Sequence, residues 1–91
     1  MKKEAQKLKY RKPNLVEMYD YLDQVGGFSE TNVFKLKAMC INAIAPYVNY
    51  VECGYETYND LLLDTEKRGL ELAQLADKFY AEIIGVFAKK N

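Results

Sequence analysis

The sequence contains no histidine. That absence removes the imidazole base of serine and cysteine hydrolases, imidazole zinc ligands and the Glu-x-x-His pairs of di-iron bundles. Tryptophan is missing too, and Ser29 is the single serine. Cysteine is confined to Cys40 and Cys53, too few for a structural zinc site. Read on one helix, their thirteen-residue separation places them about 20 Å apart, beyond disulfide reach. Both lie among apolar residues, which points to buried, reduced thiols. Gly26 and Gly27 lack the glycine and lysine pattern of a phosphate-binding loop. No apolar run reaches the roughly 18 residues of a membrane helix, and no secretory signal is visible, so the cytoplasm is the expected compartment.

Net charge is also lacking: thirteen basic side chains balance thirteen acidic ones. The balance hides an asymmetry. Lys2, Lys3, Lys7, Lys9, Arg11 and Lys12 face Glu4 alone, so residues 1–12 carry +5 and residues 13–91 carry −5. This separates a basic arm, 1–12, from one helical domain, 13–91. The arm reads as a short helix with Ala5 and Leu8 on one face, ended at Pro13. With only Ala5, Leu8 and Tyr10 able to pack, it is expected to be dispensable for folding. Its charges either keep the chain soluble or meet an anionic partner.

Helical apolar spacing dominates the remainder. Leu15, Met18, Leu22 and Val25 form a stripe that Gly26 and Gly27 end. Ser29 reads as the N-cap of a third helix with Glu30 in its first turn and Phe28 stapled to Val33. That helix is expected from about 30 to 52, on the seam Val33, Leu36, Cys40, Ala43, Tyr47 and Tyr50. Pro46 should kink it, because proline removes a backbone hydrogen bond and crowds the preceding turn. Beyond Gly54 a fourth helix is expected to reach about residue 88. One seam is Leu62, Thr65, Gly69, Leu72, Ala76, Phe79, Ile83 and Val86; a parallel one is Leu63, Leu70, Ala73, Tyr80, Ile84 and Phe87. Asp64 and Arg68 form an i,i+4 pair expected on the surface. Gly69 costs about 1 kcal/mol of helix propensity, which suggests a closely packed neighbour. No strand alternation persists. The fold expected is all-α: a small helical bundle built on a long antiparallel helical hairpin with two shorter N-terminal helices.

Three features could carry function. Carboxylate pairs (Asp20 and Asp23, Glu52 and Glu56, Asp60 and Asp64) could hold Mg²⁺ or act as acid and base, but such spacing is ordinary on solvated helices. Neither an enzyme nor a cofactor is expected. Tyrosine is abundant: Tyr47, Tyr50, Tyr55 and Tyr58 cluster around the turn at Gly54, while Tyr19 and Tyr21 face different sides of the second helix. Tyrosine suits an interface, or the end of a bundle core. Finally, apolar surface exceeds what two short helices can cover. Tyr80, Ile84 and Phe87 are the residues expected to remain for a partner.

The reading that follows is a non-enzymatic helical protein–protein interaction module (an adaptor, inhibitor or assembly subunit) that self-associates as a dimer or higher oligomer. The alternative is a nucleic-acid-binding accessory protein whose arm, Lys2, Lys3, Lys7, Lys9, Tyr10, Arg11 and Lys12, contacts phosphates while Tyr10 stacks on a base.

Overall fold

The computed structural model describes residues 6–27, 29 and 31–88. Most are helical, and no strand occurs among them apart from an isolated bridge between Tyr10 and Val48. Among the described residues four α-helices follow in order: α1, Leu15–Gln24; α2, Val33–Ala43; α3, Tyr58–Leu63; and α4, Thr65–Ala88.

The starts of α1, α2 and α3 are local hydrogen-bond solutions for backbone N–H groups that have no partner inside the helix. At α1, the Asn14 side chain accepts from the Glu17 N–H at 2.9 Å, and Glu17 accepts from the Asn14 N–H at 2.9 Å, a reciprocal capping box. Asn32 caps α2 by accepting from the N–H groups of Phe34 and Lys35. Ser29, the expected cap, instead donates its hydroxyl to the Gly26 carbonyl and belongs to the turn after α1. Thr57 caps α3 through the Asp60 N–H. The turn after α1 closes with Gly26 and Gly27 at positive φ, and the Gly27 N–H returns to the Leu22 carbonyl. The expected packing of Phe28 on Val33 and the place of Glu30 lie outside the described residues.

Proline and aspartate cut the two long helices expected from the apolar seams. α2 stops at Ala43, and Pro46 sits in a 3₁₀ turn, Ala45–Tyr47. Val48 is then extended, and residues 50–54 form a turn. The chain breaks rather than kinks at Pro46, because the backbone beyond it finds other partners: the Tyr47 carbonyl accepts from the Arg11 N–H, and the Asn49 N–H donates to the Lys9 carbonyl. At Asp64 the backbone leaves helical geometry (φ −88°, ψ 56°), separating α3 from α4. Gly69 does not interrupt α4. A Cβ there would meet only the Thr65 side chain of the same helix, at 3.1 Å, so the close neighbour expected from its position is absent.

Residues 6–12 are the largest departure from expectation. They form no helix. The segment runs extended beside residues 47–49, held by the two backbone bonds above, by Lys9 N–H to Asn49 Oδ1 and by Asn49 Nδ2 to the Lys7 carbonyl. Extended geometry sends alternate side chains to opposite sides: Leu8 is buried, Tyr10 half-buried, and Lys9 and Arg11 exposed. The helical reading missed this because seven residues contain too few apolar positions to separate a period of 2 from one of 3.6. Residues 1–5, including Lys2, Lys3 and Ala5, lie outside the described residues.

The core lies where α1, α2 and α4 meet this segment. Leu72, Ala76, Phe79 and Ile83 of α4 are buried together with Met18, Tyr21, Leu22, Val25, Cys40, Ala43, Ile44 and Leu8. Phe79 is its aromatic centre. The rings of Tyr10 and Tyr21 meet it edge-on, each at 4.8 Å, and that of Tyr47 stacks at 5.2 Å. Such geometries add about 0.5–1.5 kcal/mol per pair beyond the area they bury.

Candidate functional site

The tyrosines singled out by the sequence divide between core and rim. Tyr47 is buried against Phe79, so it belongs to the core rather than to an interface. Tyr50 and Tyr58 are half-buried with ring centroids 5.9 Å apart. The Tyr58 hydroxyl donates to the Ile41 carbonyl, fastening α3 to α2, and burial pushes its phenol up. Tyr55 donates to the Asp64 carboxylate at the α3–α4 break; burial and then that bond raise its phenol. The cluster is therefore a joint between elements. The hydroxyls of Tyr55 and Tyr58 are spent on internal acceptors.

Arg68 corrects another expectation. It is buried, not on the surface, and its Nη1 pairs with Glu71 at 2.9 Å. Glu71 also accepts from the Leu8 N–H at 2.7 Å, so this ion pair anchors the N-terminal segment to α4.

Both cysteines are buried and free, and burial raises both thiols. They do not share a helix. Cys40 is on α2, and Cys53 is in the turn 50–54, its Sγ 3.6 Å from the carbonyls of Gln6 and Lys7. Among the described residues, no group of three potential metal ligands converges, and no helix is long and apolar enough to cross a membrane. The carboxylates of the three pairs sit on exposed or half-buried positions, with Asp64 engaged by Tyr55.

Part of the exposed apolar surface lies on α1 and near the end of α4. Tyr80, Ile84 and Phe87 are half-buried and pack on the core. Phe87 is in contact with Tyr19, ring centroids 5.1 Å apart. Around this pair the covering is thin: Val16 is 69% exposed, Tyr19 58%, and Leu15 and Val86 are also exposed. Leu15 and Tyr19 are one helical turn apart, as are Val16 and Tyr19, so all three share one side of α1. Val86 precedes Phe87 on α4, turned about 100° around the helix from it. Apolar side chains of two helices thus meet at the Tyr19–Phe87 contact; the sequence reading singled out Phe87, put Val86 on a buried seam although it is exposed, and did not single out Leu15, Val16 or Tyr19 for a partner. Elsewhere, Phe34 at the start of α2 is 81% exposed, and Leu63 and Leu70 also face outward.

The basic residues form a separate surface. Lys7, Lys9 and Lys12 are exposed. Arg11 is already engaged, in a two-pronged pair with Glu17 at 3.0 and 2.7 Å and over the Tyr47 ring at 4.9 Å. Its hydrogen bonds, with the Asn14 N–H, lower the Glu17 carboxyl to about 2. Tyr10 is packed on Phe79; burial first and the Glu82 carboxylate second raise its phenol.

Comparison with protein-family models, with curated proteins and with solved structures finds no match to this chain.

Proposed function

We propose that this chain is a non-enzymatic helical interaction module of the cytoplasm, and that it self-associates through the face formed by Leu15, Val16 and Tyr19 of α1 with Val86 and Phe87 of α4. The observation that carries the reading is the exposure of Val16 and Tyr19 beside the Tyr19–Phe87 contact. Three large apolar side chains left in water on one side of α1, beside the Tyr19–Phe87 contact and with Val86 exposed on α4, are the kind of surface that a partner covers. A second copy is the occupant argued for. A two-fold axis lets one patch serve both sides of an interface, and a chain of this length gains stability that its own small core supplies poorly. Two buried thiols without a disulfide suit a reducing compartment.

The nucleic-acid reading is weaker. Its stacking residue, Tyr10, is committed to Phe79, and Arg11 is committed to Glu17.

Sedimentation equilibrium over a concentration series tests the proposal. Wild-type chain should shift from monomer to dimer, whereas Val16→Glu and Tyr19→Glu should remain monomeric with helicity retained. A wild-type monomer at every concentration would sink it, as would charged variants that dimerise like the wild type.

A further inference from the structure

The extended segment has two backbone edges. Lys9 and Arg11 turn theirs toward residues 47–49, where their backbone groups are paired. Leu8 and Tyr10, of the other parity, turn theirs toward α4, as the Leu8 N–H to Glu71 bond shows. The bonds Arg11 N–H to Tyr47 and Asn49 N–H to Lys9 bracket Tyr10 and Val48, making them the antiparallel pair whose own N–H and C=O point away from each other's strand. The N–H of Tyr10 is therefore presented to α4.

On that side, Glu71, Leu75, Lys78 and Glu82 lie at i, i+4, i+7 and i+11, one stripe of α4. Glu71 holds the segment by taking the Leu8 N–H and Arg68, and Phe79, further along α4, meets the Tyr10 ring. Between the anchors lies a concavity of about 400 Å³ lined by Lys7, Leu8, Lys9, Tyr10, Leu75 and Lys78. Every charged residue in that lining is a lysine, and all three are exposed. The hollow on the other side of the segment differs: Glu52 lines it, and its Arg11 is already paired with Glu17.

We propose that the concavity between the segment 7–10 and α4 binds a small phosphate monoester. Three lysines lining one hollow favour a ligand carrying more than one negative charge, and a phosphate monoester carries about −1.5 to −2 at neutral pH. Lys7, Lys9 and Lys78 hold the phosphoryl oxygens, with the Tyr10 N–H as a directional donor. Leu8, Leu75 and the edge of Tyr10 receive the apolar body of the ester. A hollow of this size is at the lower end of small-molecule sites.

Calorimetric titration of the full chain with phenyl phosphate, inorganic phosphate and phenol tests the site. Phenyl phosphate should bind saturably, inorganic phosphate more weakly, and phenol not at all. Lys9→Gln and Lys78→Gln should each weaken phenyl phosphate about fivefold, the size of one partly exposed charge contact, with the melting temperature unchanged. Lys67→Gln, on an exposed part of α4 outside the lining, should bind as the wild type does. Absence of saturable binding by phenyl phosphate and phosphate would overturn the proposal. So would equal weakening by Lys67→Gln, which would mean diffuse charge. A third arm uses oligothymidylate: binding that phenyl phosphate does not compete away, with Lys12→Gln as damaging as Lys78→Gln, would replace the small-ligand site with a general polyanion surface.

Discussion

The ring of Tyr10 meets the ring of Phe79 edge-on with centroids 4.8 Å apart, joining the extended N-terminal segment to the middle of α4. Leu8 is buried two residues earlier, and the segment is bonded to Asn49, Tyr47 and Glu71. What composition suggests is a solvated arm is a wall of the core.

Leu8→Ala should therefore destabilise the fold by about 2–4 kcal/mol, the usual cost of truncating a buried leucine. Deletion of residues 1–12 should do more, removing Leu8, the Tyr10–Phe79 contact and several backbone bonds together. Thermal or urea denaturation followed by circular dichroism reads both. A Leu8→Ala variant as stable as the wild type would return the segment to the status of a dispensable arm.

Acid should weaken the start of α1. The Glu17 carboxyl is lowered to about 2 by the Arg11 guanidinium and the Asn14 N–H. A carboxylate held below its ordinary value stabilises the folded chain above that ordinary value. The contribution is lost as pH falls from about 4.5 toward 2. Glu17→Gln keeps the capping box, which glutamine also forms, but removes the charge. Its stability should fall less steeply than the wild type's across that pH range. Asn14→Ala removes the cap itself and should cost about 1 kcal/mol at neutral pH. Denaturation midpoints measured at several pH values separate the two effects.

The two thiols should respond differently to loosening of the segment. Burial protects both in the native state, and their raised pKa slows attack further. Cys53 lies directly under the carbonyls of Gln6 and Lys7, whereas Cys40 sits on α2 near Tyr21. In Leu8→Ala, labelling of Cys53 should accelerate more than that of Cys40. Equal acceleration would indicate that the segment opens only with the whole molecule.

The parts of the fold visible in the sequence are those where one element's own periodicity decides the outcome. The seam Leu72, Ala76, Phe79 and Ile83 reads directly as the buried face of α4, and Met18, Leu22 and Val25 as that of α1. Tyr21 was less visible, since its ring could have served core or surface; it is fully buried against Phe79. The breaks at Pro46 and Asp64 depended on partners distant in sequence. Pro46 permits either a kink or a stop, and pairing of residues 47–49 with 9–11 selects the stop. Asp64 carries no obvious breaker, yet its side chain is claimed by Tyr55. At the proposed interface, Phe87 was legible from its seam, while Val16 and Tyr19 required knowledge of which side of α1 faces inward.

The contacts made by Leu8 and Tyr10 reach Glu71 and Phe79, so this helical chain carries contacts between residues more than sixty positions apart. Helices can form locally and quickly, but closing the chain across some sixty or seventy residues costs entropy that no local contact returns. On a ribosome the N-terminal segment emerges well before α4 and must wait for it. Until then its docking place against Leu75 and Phe79 does not exist. Cys53 stays uncovered during that interval, and Leu8 and Tyr10 are exposed to chaperones or to another nascent chain. Docking of this segment thus depends on a helix that is made after it.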